Sequence, residues 1–441
     1  MHRLHLLLAV LLGAGCYSPS VEPCRYVCNG ATCPSGLTCN AQGMCASSAT
    51  EMCGGDGGPI ADAPPDSSCG WPAATNVDPC ALRADQVTAP WNIRDGEVWT
   101  IDTDMLTVRL NNQTVPFPLI SQNDQTTAVP QVPQVALVTV GDVTLSAQGG
   151  LQVIGARPLT ILVNGTALIA GSIEIQPTVV GGFACPTSGS NGGSVTTQAG
   201  AGGGGGGGFG PNDHTTAGQV GGNGGASPPP VAGGGIGGTG GNVSNAIDAR
   251  RLSPLRPGCP GGQGGTTPNP GSMGGRPGAG GGAIQISARL RLTIAGMINA
   301  PGGGGAVGTP GGGGGGGAGG AILLEAAMVD LVSGARLCAN GGGGATGISI
   351  ATGQGQIGLC SGVAALGGGE SPNGTPASSS GGAGATAMLD AEVGQLGKTG
   401  TDSANPATSG GGGGGGVGRI RINGQLTVAP PVLSTPKYTV P

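Results

Sequence analysis

The sequence predicts a mostly β chain: a right-handed parallel β-helix-like solenoid with long glycine-rich excursions, preceded by a small disulfide-rich module. Strand-like units recur every eight residues between 143 and 169, and related units return far downstream. Seven consecutive glycines occur at 202–208, 311–317 and 410–416. Phe, Trp and Tyr supply only three residues each, so any core is thin and aliphatic. The alternative is a β-sandwich with disordered glycine-rich loops.

Residues 1–15 read as an export signal, with Arg3 followed by a leucine-rich stretch too short to span a bilayer. The sequence LLGAGC, which ends at Cys16, resembles the lipobox of bacterial lipoproteins, although Gly13 stands where that family prefers Leu. The resemblance implies that Cys16 carries a lipid that anchors the chain to a membrane. Tyr17 in place of Asp favours the outer membrane or cell surface, and secretion is the alternative.

The cysteine count agrees with export. Thirteen cysteines less a lipidated Cys16 leave twelve, an even number suited to disulfides in an oxidising compartment. Residues 16–53 are too short to bury a core, so we expect a disulfide-stapled module there, resembling epidermal-growth-factor or Dickkopf modules in CPSGLTC and AQGMC. Six cysteines allow fifteen disulfide pairings, and these stay open. A zinc site is the alternative for these cysteines, but the segment lacks the paired CxxC motifs typical of such sites. The disulfide candidates are Cys24, Cys28, Cys33, Cys39, Cys45, Cys53, Cys69, Cys80, Cys185, Cys259, Cys338 and Cys360.

Residues 54–80 are rich in Gly, Pro and Asp and predict an extended linker. Cys69 and Cys80 are expected to pin its far end, to one another or to the next domain. The chain beyond divides into a first solenoid segment at 81–180, a glycine-rich excursion at 181–282, and glycine-interrupted repeats with a C-terminal tail at 283–441.

The first solenoid segment shows its period directly. The units Val143/Leu145, Leu151/Val153, Leu159/Ile161 and Ala167/Ile169 each place two apolar residues on one side of a short strand. Three such strands joined by turns return the chain after about 24 residues, which is the geometry of a parallel β-helix.

The same unit returns downstream at identical intervals. Leu159, Ile161, Ile169 and Ile173 align with Ile284, Ile286, Ile294 and Ile298. A third copy aligns Ile322, Leu324, Val332 and Gly334 at an offset of 38, before a one-residue shift that places Leu337 against Ile298. A fourth copy supplies Ile420, Ile422, Leu426 and Val428. We expect all copies to join one stack.

The glycine runs have two interpretations. Disorder is the simpler one, because glycine loses the most conformational entropy on ordering. Two runs, however, lead within a few residues into strand-like segments. The layout over roughly 181–420 resembles the glycine-rich region of the anaplastic-lymphoma-kinase receptor family and some phage adhesin tips. That resemblance implies bundled polyglycine II helices.

The whole layout resembles glycine-rich surface lipoproteins of large-genome soil bacteria. We therefore expect a non-enzymatic protein with a structural or adhesive role, anchored to a membrane by its lipid, with extracellular polysaccharide or other cell-surface proteins as partners. Without residues 1–15 the chain has 16 basic and 22 acidic residues, so bulk charge does not recruit nucleic acid. No cofactor is expected.

A polysaccharide lyase or hydrolase on a β-helix is the enzymatic alternative. Such chemistry needs paired carboxylates or a carboxylate with Arg. The candidates are Asp102, Asp104, Arg109, Asp142, Asp248, Arg250 and Arg251, all more simply interpreted as solvated turn or face residues. His214 is the single histidine beyond residue 15, which leaves a His-based metal site or triad without support. The GQLGKT segment at 394–399 lacks the first glycine of a phosphate loop.

Overall fold

The structure is a computed structural model. It describes residues 37–39, 45–48, 69–71, 74–115, 120–125, 134–177, 188–196, 201–209, 221–226, 235–241, 251–309, 311–347, 353–368, 380–386 and 409–440. The chain divides into two compact units, Met1–Pro64 with Pro441, and Pro65–Val440. In the first unit, β1 (Thr38–Cys39) pairs antiparallel with β2 (Cys45–Ala46).

The second unit is mostly β. Its short 3-10 helix covers Ala84–Gln86. Its strands are β3 (Trp91–Ile93), β4 (Val98–Asp102), β5 (Thr107–Leu110), β6 (Gln113–Val115), β7 (Ile120–Asn123), β8 (Val135–Val140), β9 (Val143–Leu145), β10 (Gly150–Ile154), β11 (Leu159–Val163), β12 (Thr166–Ile169), β13 (Ser172–Ile175), β14 (Ala283–Ile294), β15 (Met297–Asn299), β16 (Ala321–Leu331), β17 (Arg336–Cys338), β18 (Arg419–Val428) and β19 (Leu433–Thr435).

Within the described residues, these strands form two sheets that share one aliphatic core. The first sheet has the order β19-β17-β15-β13-β10-β4-β5-β6. The second has the order β3-β9-β12-β14-β11-β8-β7, and β16 and β18 continue it beyond β14. Strands such as β10 alternate buried and half-buried residues, because successive side chains point to opposite faces. The buried positions are mainly Val, Ile and Leu, with several Ala and Trp91, and they form one core shared by the two sheets.

The predicted alignment of the repeats is confirmed as strand register. Leu159 lies beside Ile284 in the parallel pair β11–β14. Ile169 lies beside Ile294 in β12–β14 and Ile173 beside Ile298 in β13–β15. β14 pairs with both β11 and β12. The first copy therefore has two separate strands where the second copy has one continuous strand.

The alignment predicted for the third copy is partly wrong. Ile322 pairs with Ile284 as expected, but Leu331, and not Val332, lies beside Ile294. The register shifts between Ala288 and Arg291, where two residues of β14 face one of β16. Such a bulge bends a strand, and here it separates the part of β14 that pairs with β11 from the part that pairs with β12.

Leu337 of the third copy and the apolar residues of the fourth copy follow the prediction. Leu337 lies beside Ile298. The fourth copy places Ile420, Ile422, Leu426 and Val428 beside Ile322, Leu324, Val329 and Leu331. The register shifts again at this level between β16 and β18, where two residues of β16 face Gly424 alone, and the φ of +139° at Gly424 suits glycine.

The described glycine runs are ordered by backbone hydrogen bonds between distant segments. In the 202–207 stretch, the amides donate in rotation to three neighbouring segments, so that every third residue has the same neighbour. These bonds run from Gly202 and Gly205 to Gly193 and Ser190, from Gly203 and Gly206 to Gly225 and Gly222, and from Gly204 and Gly207 to Gly313 and Gly316. A period of three residues per turn is that of the polyproline II conformation.

The carbonyls of the same stretch accept from three further segments. These bonds come from Gly265 and Gly262, from Gly238 and Gly241, and from Gly413 and Gly416. Run 311–317 is surrounded in the same way, with donors and acceptors at 262–265, 275–278, 303–306, 342–345 and 410–413 as well as at 204–207. We call this hydrogen-bonded set of glycine-rich segments the glycine bundle. Its interior contains backbone and almost no side chains.

The bundle has no room for side chains at these glycines. A Cβ added at Gly203 would lie 2.0 Å from the carbonyl oxygen of Gly411, and one added at Gly204 would lie 2.0 Å from that of Gly262. Glycine is therefore required by close approach of neighbouring backbones and not by unusual dihedral angles. Phe209, Leu252, Leu255 and Leu323 form a small apolar cluster where bundle segments meet the second sheet.

Candidate functional site

A segment that we call the strap, residues 69–71 and 74–87, covers the outer face of the second sheet. The Cys69–Cys80 disulfide closes it. Trp71, Val77 and Ala84 of the strap pack on Leu137 and Leu162 of the sheet. This apolar contact lies on β8 and β11, beside β14, the first of the three strands that carry the polar residues described next.

Glu325 of β16 lies beneath the strap and is 2% exposed. Its carboxylate accepts hydrogen bonds from the backbone N–H of Thr75 at 3.2 Å, from Gln285 Nε2 at 2.8 Å and from Ser287 Oγ at 2.6 Å. It also accepts from Asn423 Nδ2 at 2.9 Å and from the hydroxyl of Thr75. A buried carboxylate is costly unless hydrogen-bonded, and these donors supply that compensation.

The strand register explains why these groups meet. Ser287, Glu325 and Asn423 occupy one rung across β14, β16 and β18, and Gln285 and Arg421 lie on the rung two residues earlier. All five have the parity of the outer face, opposite to core residues such as Ile286 and Ile422. Arg421 Nε donates to Asn423 Oδ1 at 2.8 Å.

The strap completes the cluster from above. Asn76 Nδ2 donates to Gln285 Oε1 at 3.0 Å and to the carbonyl of Leu252 at 2.9 Å. The cluster therefore brings two hydroxyls, a carboxylate and carboxamides into contact in a place that is partly buried. We call Thr75, Gln285, Ser287, Glu325 and Asn423 the Glu325 cluster.

Sequence reasoning alone does not single out the Glu325 cluster. The signal that could have found it is a polar residue that ends each of the segments AIQIS, AILLE and RIRIN, in which core-facing Ile or Leu alternates with the outer-face residues. Thr75 carries no such signal, because its segment has no periodicity that places it on a sheet.

The acids proposed for catalysis hold turns. Asp102 accepts from the backbone N–H groups of Asp104 and Met105, at 3.0 and 2.9 Å. Asp104 accepts from the N–H of Ala156 at 2.9 Å, and Asp142 accepts from that of Thr166. These bonds fix the loops between strands, as the interpretation of these acids as turn residues anticipates. Arg109 is exposed on β5, Arg251 is exposed, and Asp248, Arg250, His214 and residues 394–399 lie outside the described residues.

The candidate cysteines are placed as follows. Cys69 is bonded to Cys80 and Cys338 to Cys360. Cys39 and Cys259 are also disulfide-bonded, and Cys45 lies on β2 opposite Cys39. The proposed lipid-bearing Cys16 and the candidates Cys24, Cys28, Cys33, Cys53 and Cys185 lie outside the described residues.

The Cys338–Cys360 disulfide holds a loop with exposed aliphatic side chains. Ile357, Leu359, Val363 and Leu366 are exposed, with Val363 at 63%. Buried Asn340 donates from Nδ2 to the carbonyls of Leu359 at 2.6 Å and Ser361 at 2.9 Å. The loop is thus fixed at its base by a covalent bond and two hydrogen bonds.

Glu174 of β13 is half-buried and hydrogen-bonded to Asn299. Partial burial raises the pKa of Glu174, and the hydrogen bond from Asn299 Nδ2 at 3.0 Å works against that rise. At Glu97 the backbone N–H of Arg94 lowers the pKa, assisted by Trp99. The two groups give opposite pH dependences of stability.

Across the part of the chain that the structure describes, no three His, Cys, Asp or Glu side chains cluster closely enough to hold a metal ion. No helix among the described residues has the length and apolar character needed to cross a membrane. Comparison of the chain with protein-family models, curated proteins and solved structures finds no match.

Proposed function

We propose that the protein is a non-enzymatic cell-surface lipoprotein, anchored through Cys16, with a structural or adhesive role. The observation that carries the proposal is the glycine bundle, in which single runs exchange backbone hydrogen bonds with six neighbouring segments. A core of this kind leaves few side chains for chemistry and builds a stiff framework from backbone alone. Its partners would be extracellular polysaccharide or other cell-surface proteins.

We further propose that the two sheets are coils of a right-handed parallel β-helix-like solenoid, and that the glycine bundle is polyglycine II. Support for the solenoid comes from the spacing of stacked residues. Gly150 stacks on Ser172, Leu159 on Ala136 and Ala167 on Val143, which are separations of 22, 23 and 24 residues. Support for polyglycine II comes from the threefold rotation of hydrogen bonds.

The anchor is tested by palmitate labelling and protease shaving of intact cells that express the wild type or Cys16→Ser. We expect label on the wild type alone, and shaving that removes the wild type from the surface. An unlabelled wild type released into the medium would contradict the anchor.

The structural or adhesive role is tested by attachment of cells to surfaces and to one another. Cells with the wild type or Gly362→Ala should attach, because a Cβ at Gly362 meets no atom within 4 Å. Cells with Cys16→Ser or Gly204→Ala should attach poorly. Release of sugar fragments from a polysaccharide panel by the purified wild type would instead establish the enzymatic alternative.

A further inference from the structure

We propose that Thr75 and Asn423 become joined by an ester bond, formed when the Thr75 hydroxyl attacks the Asn423 carboxamide and ammonia leaves. Glu325 carries the proton between them. The inference concerns a modification site in the Glu325 cluster and does not depend on the proposed surface role. It rests on the mutual contacts of four side chains.

The nucleophile, the base and the leaving group touch one another. Thr75 Oγ1 donates a hydrogen bond to Glu325 Oε1. Asn423 Nδ2 lies 3.3 Å from Thr75 Oγ1 and 2.9 Å from Glu325 Oε1. The hydroxyl oxygen is therefore beside the carboxamide it would attack. A hydroxyl paired with an adjacent base is the usual arrangement of an activated nucleophile.

The carbonyl oxygen of the same carboxamide faces a cation. Arg421 Nε donates to Asn423 Oδ1 at 2.8 Å, and Arg421 is 6% exposed. Negative charge develops on that oxygen when the hydroxyl attacks, so a fixed guanidinium stabilises the transition state more than the ground state. Gln285, Ser287 and Glu325 are buried and Thr75 and Asn423 are half-buried, so this charge interaction is stronger than it would be in water.

The step balances without a co-reactant. A lone pair of Thr75 Oγ1 forms the C–O bond to Asn423 Cγ, and the hydroxyl proton passes to Glu325. The tetrahedral intermediate then expels its nitrogen as the C–N bond breaks, and Glu325 returns the proton to that nitrogen. One ammonia leaves, the carboxylate is regenerated, and nothing is oxidised or reduced.

The bond would join the strap to the last strand of the second sheet's stack. Thr75 and Asn423 are 348 residues apart in sequence. Without the ester, the strap is held there by hydrogen bonds that each contribute only about 1 kcal/mol. A covalent tie would keep Thr75 joined to Asn423 even when these hydrogen bonds break.

The experiment is mass spectrometry of the purified full-length chain after reduction, alkylation and denaturation. Trypsin cuts after Arg25, Arg83, Arg421 and Lys437, so Thr75 lies in peptide 26–83 and Asn423 in peptide 422–437. We expect one joined species with the mass of both peptides less one ammonia. Separate, unmodified peptides from the wild type would overturn the proposal.

Variants test which side chains act as the nucleophile and the base. Thr75→Val keeps the size and the backbone N–H but removes the nucleophile, and should give separate peptides, while Thr75→Ser should restore the joined species. Ser287→Ala is the matched control, because it removes a different hydroxyl bonded to Glu325 and should leave the link intact. Glu325→Gln cannot accept the proton and should abolish the link, and a link that persists there would contradict the role of Glu325.

A competing reaction is distinguished by the same data. Asn423 precedes Gly424, and cyclisation of an Asn-Gly pair to a succinimide also loses one ammonia. That product leaves peptides 26–83 and 422–437 separate and forms equally in Thr75→Val. Ammonia loss with separate peptides in both proteins would therefore overturn the ester.

Discussion

Substitution of Gly204 by Ala probes the close packing of backbones in the glycine bundle. The added Cβ would lie 2.0 Å from the carbonyl oxygen of Gly262, whereas ordinary contact begins at 3.4 Å. The backbones must separate by more than an ångström to accept it. The atoms that the added Cβ would meet all belong to the backbone of Gly262 and Gln263, so no side-chain rotation can relieve the overlap.

The cost follows from the bonds that such a movement breaks. Gly204 N–H donates to Gly313 at 2.9 Å, Gly413 N–H donates to Gly204 at 2.9 Å, and Gly315 N–H donates to the displaced carbonyl of Gly262 at 2.9 Å. Each bond contributes about 1 kcal/mol, and each buried group left unpaired costs about 1–3 kcal/mol. We expect the free energy of unfolding to fall by about 3–6 kcal/mol, against a usual total of about 5–15 kcal/mol.

Denaturant unfolding, followed by circular dichroism, measures this loss. Gly362→Ala is the matched control, since its Cβ meets nothing within 4 Å, and it should change the free energy of unfolding by less than about 1 kcal/mol. If Gly204→Ala unfolds at the same denaturant concentration as Gly362→Ala, the close packing of these backbones in solution is refuted.

Further predictions concern pH and the disulfide loop. Glu174→Gln should stabilise the protein at neutral pH and not at acidic pH, because the raised pKa of Glu174 makes its ionisation costly in the folded state; stability curves at several pH values test this. Glu97→Gln should destabilise it at neutral pH, with the effect vanishing as pH falls below the usual value of 4.5, since the pKa of Glu97 is lowered; equal behaviour of both variants would contradict these assignments. Replacing Cys338 and Cys360 by Ser should lower the free energy of unfolding by about 3 kcal/mol, for a separation of 22 residues; an unchanged denaturant midpoint would contradict it.

The strands and their register were largely predictable from sequence. Leu159, Ile161, Ile169 and Ile173 and their counterparts at 284–298 have identical intervals, and apolar side chains at a period of two specify which face is buried. The bulge between Ala288 and Arg291 was not predictable, because the apolar pattern continues on both sides of it with only one residue of difference.

The partners of the glycine runs could not be predicted either. Glycine has no side chain that distinguishes one neighbour from another, so nothing in the 202–208 run indicates that it bonds to segments near 190, 222, 238, 262, 313 and 413. The Glu325 cluster is hidden for a related reason. It assembles residues from Thr75 to Asn423, and only the three-dimensional register brings them together.

The central claim, an ordered core built from glycine backbone, is tested most directly by hydrogen exchange on the full-length chain. We expect amides of the runs at 202–208, 311–317 and 410–416 to exchange as slowly as those of β14 and β16, because both sets are buried and hydrogen-bonded. Exchange of the three runs at the rate of an unstructured peptide, while β14 and β16 stay protected, would contradict it.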